Sequence, residues 1–139
     1  MADRIALYDS IPVIPGFFRL THVQNRGAAF GIFDDSPSEW KVWMLIVFSV
    51  AALVIVTVLL WKNSFALNAT GVALSLVLGG AAGNLWDRMV AGRVTDFLLF
   101  YVGQHIWPAF NVADSAIVCG ALLLVAEILF TKNPEQTAA

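Results

Sequence analysis

Apolar residues fall into three long runs in this chain, and polar residues gather between them. The first run, 42–61 (VWMLIVFSVAALVIVTVLLW), holds twenty positions without a charge, enough for an α-helix to cross a typical hydrocarbon core. Trp40, Trp43 and Trp61 stand towards its ends, where indole rings favour the boundary between lipid and water. The second run, 67–86 (LNATGVALSLVLGGAAGNLW), is rich in Gly, Ala, Ser and Thr. Small side chains let backbones approach closely, so this span is expected at the centre of a bundle, with Gly79, Gly80 and Gly83 serving a bend or a tight crossing. The third, 112–130 (VADSAIVCGALLLVAEILF), places Asp114 in a first helical turn, where unpaired N–H groups favour a carboxylate. Glu127 falls near its far end and is expected at the opposite interface.

The segments outside the runs are read as connections. In 1–24, Pro12 and Pro15 interrupt any regular helix; 5–8 is read as a short helical remnant and 11–23 as extended or turn structure at the membrane surface. Residues 25–31 (NRGAAFG) set small residues around one Asn, with Gly27 and Gly31 four apart. Asn25 either orients an acid or a peptide through its carboxamide or simply forms a turn. Asp34 to Pro37 reads as a polar loop ahead of a helix capped by Ser38, 62–64 as a turn, 97–109 as a loop and 131–139 as a polar tail. The expected fold is an all-α integral membrane helical bundle with a small extramembrane interfacial β/loop region.

Composition agrees with that pattern: of 139 residues, 59% are hydrophobic and 13% charged, and the mean hydropathy is +0.77, unlike a soluble surface. A net charge of −2 offers no attraction for nucleic acid. The single Cys119 cannot form an intrachain disulfide and reads as a small side chain in an apolar run. No continuous apolar core with a basic start and a cleavage pattern marks the first thirty residues, so insertion is expected to rest on the internal spans.

The stretch 83–115 (GNLWDRMVAGRVTDFLLFYVGQHIWPAFNVADS) carries the candidate chemistry. It sets Asp87, Arg88, Arg93, Asp96, Asn111 and Asp114 beside membrane-spanning segments, where a lone carboxylate is costly unless it faces a protein-lined cavity. Asp96 and Asp114 lie eighteen positions apart across turn formers. Brought together, two such acids would share a proton, one acting as base on water while the other donates to a carbonyl oxygen, a pairing suited to amide hydrolysis. Asn25, Asn84 and Asn111 would position the acids or a peptide backbone, and Arg88 would balance Asp87. A metal centre fits less well, because His22 and His105 stand in no ligand-spaced motif. A transporter or a structural membrane subunit would also gather acids here.

Four ordered blocks, 25–31 (NRGAAFG), 83–88 (GNLWDR), 92–97 (GRVTDF) and 110–115 (FNVADS), resemble those of the bacterial lipoprotein signal peptidases, also called signal peptidase II; 11–18 (IPVIPGFF) is similar as well. The resemblance implies an aspartic endopeptidase that removes the signal peptide of a diacylglyceryl-modified prolipoprotein immediately before the lipidated cysteine. It assigns the catalytic acids to Asp96 and Asp114 and makes Asn25, Gly31, Asn84, Asp87, Arg88 and Asn111 candidates for substrate binding or support. It further implies no metal or other cofactor, contact with membrane phospholipids, a monomer, inhibition by globomycin, and a multi-pass location in the bacterial inner membrane with the site on the extracytoplasmic side. Family members usually have four spans; no apolar run comparable to the family's first precedes residue 42, so 1–139 is expected to be a single peptidase domain lacking that helix.

Charge alone points to the other orientation. Arg4, Arg19, Arg26, Lys41, Arg88 and Arg93 fall on the side of the polar cluster against Lys62 and Lys132 on the other, which the usual rule would place in the cytoplasm. Arginines paired within a site would report poorly on topology.

Overall fold

The computed structural model describes residues 5–27, 39–63 and 68–130. The elements run β1 (Ser10–Ile14), β2 (Phe18–Asn25), α1 (Glu39–Lys62), α2 (Ala69–Ala91), β3 (Val94–Val102), β4 (His105–Ile106) and α3 (Val112–Phe130). Among the described residues, three helices are long and apolar enough to cross a membrane. The expectations for Gly31, the 34–37 loop, the Ser38 cap and the 131–139 tail lie outside the described residues.

The bounds of α3 coincide with the third apolar run, whereas α2 departs from the second at both ends. It begins at Ala69 because Asn68 caps it, accepting from Gly71 N at 2.7 Å. It ends at Ala91 rather than at residue 86 because Asp87 and Arg88 interrupt hydropathy without stopping a helix. Gly92 stops it, in a left-handed conformation (φ 68°) with its N–H on Arg88 O at 2.9 Å. That extra length carries Arg88, one turn beyond Asn84, past the end of the apolar run.

Helix α2 packs against both α1 and α3, and most extensively against α3, which makes it the central span. Two glycines set the spacing. A Cβ on Gly80 would collide with the carbonyl oxygen of Ala113 and lie 2.8 Å from Ile117 Cγ1, and one on Gly120 would lie 2.6 Å from Ala73 O. Gly79 has nothing within 4 Å of such an atom and plays no part in the crossing. Outward side chains such as Phe48, Ile55, Leu122 and Ile128 are exposed on the protein and would meet lipid. At the end of α2 remote from Arg88, Thr70 Oγ1 donates to Glu127 Oε2 at 2.5 Å, fastening the start of α2 to the end of α3.

The strands form one antiparallel order, β1-β2-β3-β4. Residues 5–8 are not helical: Asp9 N bonds Ala6 O at 3.0 Å in a turn, with Tyr8 at φ 65°. The 11–23 segment becomes a hairpin whose turn is set by Pro15 and Gly16. Phe17 N returns to Ile14 O at 3.0 Å and Gly16 takes φ 81°, the positions that suit Pro and Gly in a type II turn. Most of the expected 97–109 loop is strand, because the aromatic and aliphatic run FLLFYV finds backbone partners in β2 from Phe18 to Leu20.

Candidate active site

The junction of sheet and bundle is polar: Asn25, Asn84, Arg88, Asp96 and Asn111 are all buried. Alternation along β3 puts Val94, Asp96, Leu98 and Phe100 on one face. The register pairs Asn25 with Val94 and Val23 with Asp96, so Asn25 lies on that face beside the acid. Its Nδ2 donates to Asp96 Oδ2 at 3.0 Å, while its Oδ1 accepts from Gly27 N at 2.8 Å. The carboxamide is thereby held by the turn that follows β2.

Asn111 joins this strand to α3. Its Nδ2 donates to Asp96 Oδ1 at 2.9 Å, and its Oδ1 accepts from Asp114 N at 3.0 Å. In return Asp114 Oδ2 accepts from Asn111 N at 3.3 Å. With Asn111 immediately before α3 and Asp114 its third residue, the pair forms a reciprocal capping box. From α2, Asn84 Nδ2 donates to Asp114 Oδ1 at 2.7 Å, and Asn84 Oδ1 accepts from Asn111 Nδ2 at 3.2 Å. The two acids, eighteen positions apart in sequence, are thus tied through Asn84 and Asn111. All four carboxylate oxygens accept a hydrogen bond.

Arg88 braces the assembly from below. Its NH1 donates to Asn84 O at 3.2 Å and its NH2 to Gly27 O at 3.1 Å, so one guanidinium links the helix that carries Asn84 to the turn that holds Asn25. The expected pairing with Asp87 is not the bond it makes. Asp87 is half-buried, and the guanidinium acts on it, as on Asp114 and Asp96, through its field. Arg88 Nε is buried without a partner among the described residues.

The environments of the two acids differ. Asp96 is 2% exposed, and burial pushes its carboxyl above the usual carboxylate range. The amides of Asn25 and Asn111 pull it back, Asp114 adds to the rise and Arg88 opposes it. Asp114 is only half-buried and stands in the first turn of α3. One acid is therefore suited to holding a proton and the other to meeting water. His, Cys, Asp and Glu side chains nowhere gather in threes among the described residues.

The sequence pattern names the acids and carboxamides but hides the role of Gly27. Gly27 works through its backbone, its N–H donating to Asn25 and its carbonyl accepting from Arg88, for which composition carries no signal. The cap was legible: Asn111-Val-Ala-Asp114 ahead of an apolar run has an N-cap residue followed by an acid three positions on. The four-residue spacing of Asn84 and Arg88 likewise sets both on one face of a helix.

A spanning bundle capped by a small sheet, with polar side chains buried at the junction, defines a membrane enzyme. Two solved structures, each described as a bacterial membrane enzyme, share the fold. One has a TM-score of 0.80 at 31% identity, covering 93% of this chain and 77% of that one; the other has 0.77 at 31%, covering 95% and 82%. The chain belongs to the signal peptidase (SPase) II family, whose profile matches residues 1–130. A lipoprotein signal peptidase of Solibacter usitatus is 47% identical over 135 residues, 97% of this chain and 80% of the relative. One of Desulforapulum autotrophicum is 45% identical over 139 aligned positions, 97% and 83% respectively.

Proposed function

We propose that the protein is an aspartic endopeptidase that cleaves the signal peptide from diacylglyceryl-modified prolipoproteins immediately before the lipidated cysteine. The observation that carries this reading is the carboxamide-linked pair of acids, Asp96 buried and Asp114 half-buried, in a chain of the signal peptidase II family.

Asp114 acts as base. It takes a proton from a water molecule as the oxygen attacks the scissile carbonyl, and Asp96 gives its proton to the carbonyl oxygen. The tetrahedral intermediate, a gem-diol, collapses as the C–N bond breaks: the proton on Asp114 passes to the leaving amine, and one hydroxyl returns its proton to Asp96 as the C=O bond reforms. The carboxyl of the released signal peptide and the free amino group of the lipidated cysteine complete the balance. Asn84 and Asn111 hold both carboxylates in register, Asn25 fixes the rotamer of Asp96, and Arg88 maintains the turn behind it. Asp87 supports the site through its charge, and Gly31 belongs to the same supporting set.

In this reading the site faces the extracytoplasmic side of the bacterial inner membrane, the enzyme works as a monomer among phospholipids, and globomycin inhibits it by occupying the cleft. Arg88 is buried and Arg19 stacks 3.9 Å above the Tyr101 ring, so basic residues on that side are engaged within the fold. A count of charges then gives them too much weight in assigning orientation.

The test is cleavage of a diacylglyceryl-modified precursor peptide by purified protein, followed by mass spectrometry. Asp96→Asn and Asp114→Asn are each expected to lower turnover by about 10²–10⁴-fold while remaining folded by circular dichroism. Near-wild-type turnover in either folded variant would overturn the pairing.

A further inference from the structure

Beyond the acids, the sheet carries an open apolar groove of about 510 Å³ on β3, β4 and their neighbours, lined in part by Phe17, Phe100, Val102, Ile106, Trp107 and Phe110. Phe100 packs edge-on to Phe17 at a centroid distance of 5.3 Å and stacks with Phe110 at 5.9 Å. Val102, Ile106 and Trp107 are 64%, 63% and 57% exposed.

The groove and the site share β3 and the segment that leads into α3. Phe100 and Val102 lie on the same face of β3 as Asp96, about 13 and 20 Å along the strand at 3.3 Å per residue. Phe110 forms the join. Its carbonyl accepts from Phe97 N and Leu98 N at 3.0 and 2.8 Å, and its N–H donates to Leu98 O at 3.0 Å. The next residue, Asn111, bonds Asp96 and caps the helix of Asp114. An extended apolar chain attached beside a peptide at the two acids could therefore run along one strand face into the groove. Acyl chains in one leaflet span about half of a 30 Å hydrocarbon core, a comparable reach.

We propose that this groove is an acyl-chain subsite that receives one fatty chain of the substrate's diacylglyceryl group, its distal methylenes lying between Phe100, Val102, Ile106 and Trp107. The proposal rests on the peptidase reading and adds where the lipid is recognised. The groove thereby favours lipidated cysteine over an unmodified precursor and draws the scissile bond towards Asp96 and Asp114.

Two measurements test it on the full chain in nanodiscs. The first compares KM for precursor peptides carrying long-chain or short-chain diacylglyceryl groups, in wild type and in Val102→Glu and Ile106→Glu. Wild type is expected to favour the long chain, and a carboxylate in the groove should erase most of that preference by raising the long-chain KM on the order of tenfold. An unchanged preference in both variants would overturn the subsite. Failure of wild type to cleave either peptide would instead overturn the peptidase reading.

The second measurement uses Asp114→Asn with Trp107 as its only tryptophan, the other four being replaced by Phe; the parent without Asp114→Asn must retain cleavage. A precursor peptide with brominated acyl chains should quench Trp107 fluorescence, and the same peptide without bromine should not. Absence of quenching at saturating peptide would overturn the proposal. Quenching by brominated phospholipid that added precursor fails to relieve would also overturn it, by assigning the groove to a bilayer lipid.

Discussion

At the scale of single residues, the site is a question of which oxygen each carboxamide reaches. Asn25 donates to Asp96 and so opposes the rise that burial imposes on that carboxyl. A carboxyl raised in the fold adds stability at pH below its unfolded value and loses it as pH rises through the folded value; activity that needs its proton falls in the same direction. Asn25→Ala removes an opposing donor, so the alkaline limb of kcat/KM is expected to move to higher pH. A shift to lower pH would mean that Asp96 is not the proton donor. Arg88→Lys keeps a positive charge but cannot fork between Asn84 O and Gly27 O. It is expected to lower kcat by about tenfold to a hundredfold through misplacement of Asn25 and Asn84, measured at saturating precursor. The sequence pattern identified these side chains, because acids and amides beside apolar runs stand out. It could not assign Arg88's partners: Asp87 is adjacent in the chain, yet the bonds go to two backbone carbonyls that no side-chain pattern marks.

At the scale of elements, the start of α3 and its crossing with α2 place Asp114. Asn111 both caps the helix and bridges the acids, and the two roles separate by substitution. Asn111→Ser retains an N-cap oxygen and should keep thermal stability near wild type, whereas Asn111→Ala should lose about 1 kcal/mol more. Both lack the Nδ2 donor, so both should lose most of their turnover. The crossing makes a second comparison. Gly80→Ala and Gly120→Ala each push a methyl against a backbone carbonyl and should destabilise by about 1–3 kcal/mol. Of the two, Gly80 is the one that abuts Ala113, the neighbour of Asp114, so Gly80→Ala should also depress kcat per folded molecule, while Gly120→Ala should spare it. Hydropathy located all three helices, and the third to the residue. It misplaced the end of α2 because hydropathy reports lipid contact, while helix termination is decided by Gly92. It also left β3 as a loop, since a strand is completed by partners distant in the chain, here Phe18 to Asn25.

At the scale of the whole molecule, the bundle and the sheet divide the work. Chemistry collects where they meet, around Asp96, Asn84, Asn111 and Asp114, and the Thr70–Glu127 bond fastens the remote end of the bundle. Glu127→Gln should therefore leave cleavage close to wild type while altering thermal unfolding; a large loss of turnover would show that the two ends are coupled. The reciprocal bonds between Asn111 and Asp114 have a consequence for detection. Because the amide hydrogen of Asp114 is held by Asn111, whose own amide is held by the Asp114 carboxylate, any molecule that engages that carboxylate also changes how often the first turn of α3 opens. Hydrogen–deuterium exchange at these two amides thus reads occupancy of the cleft without a label or a chromogenic substrate: a ligand that draws the carboxylate away should speed exchange, and one that seats against the intact pair should slow it.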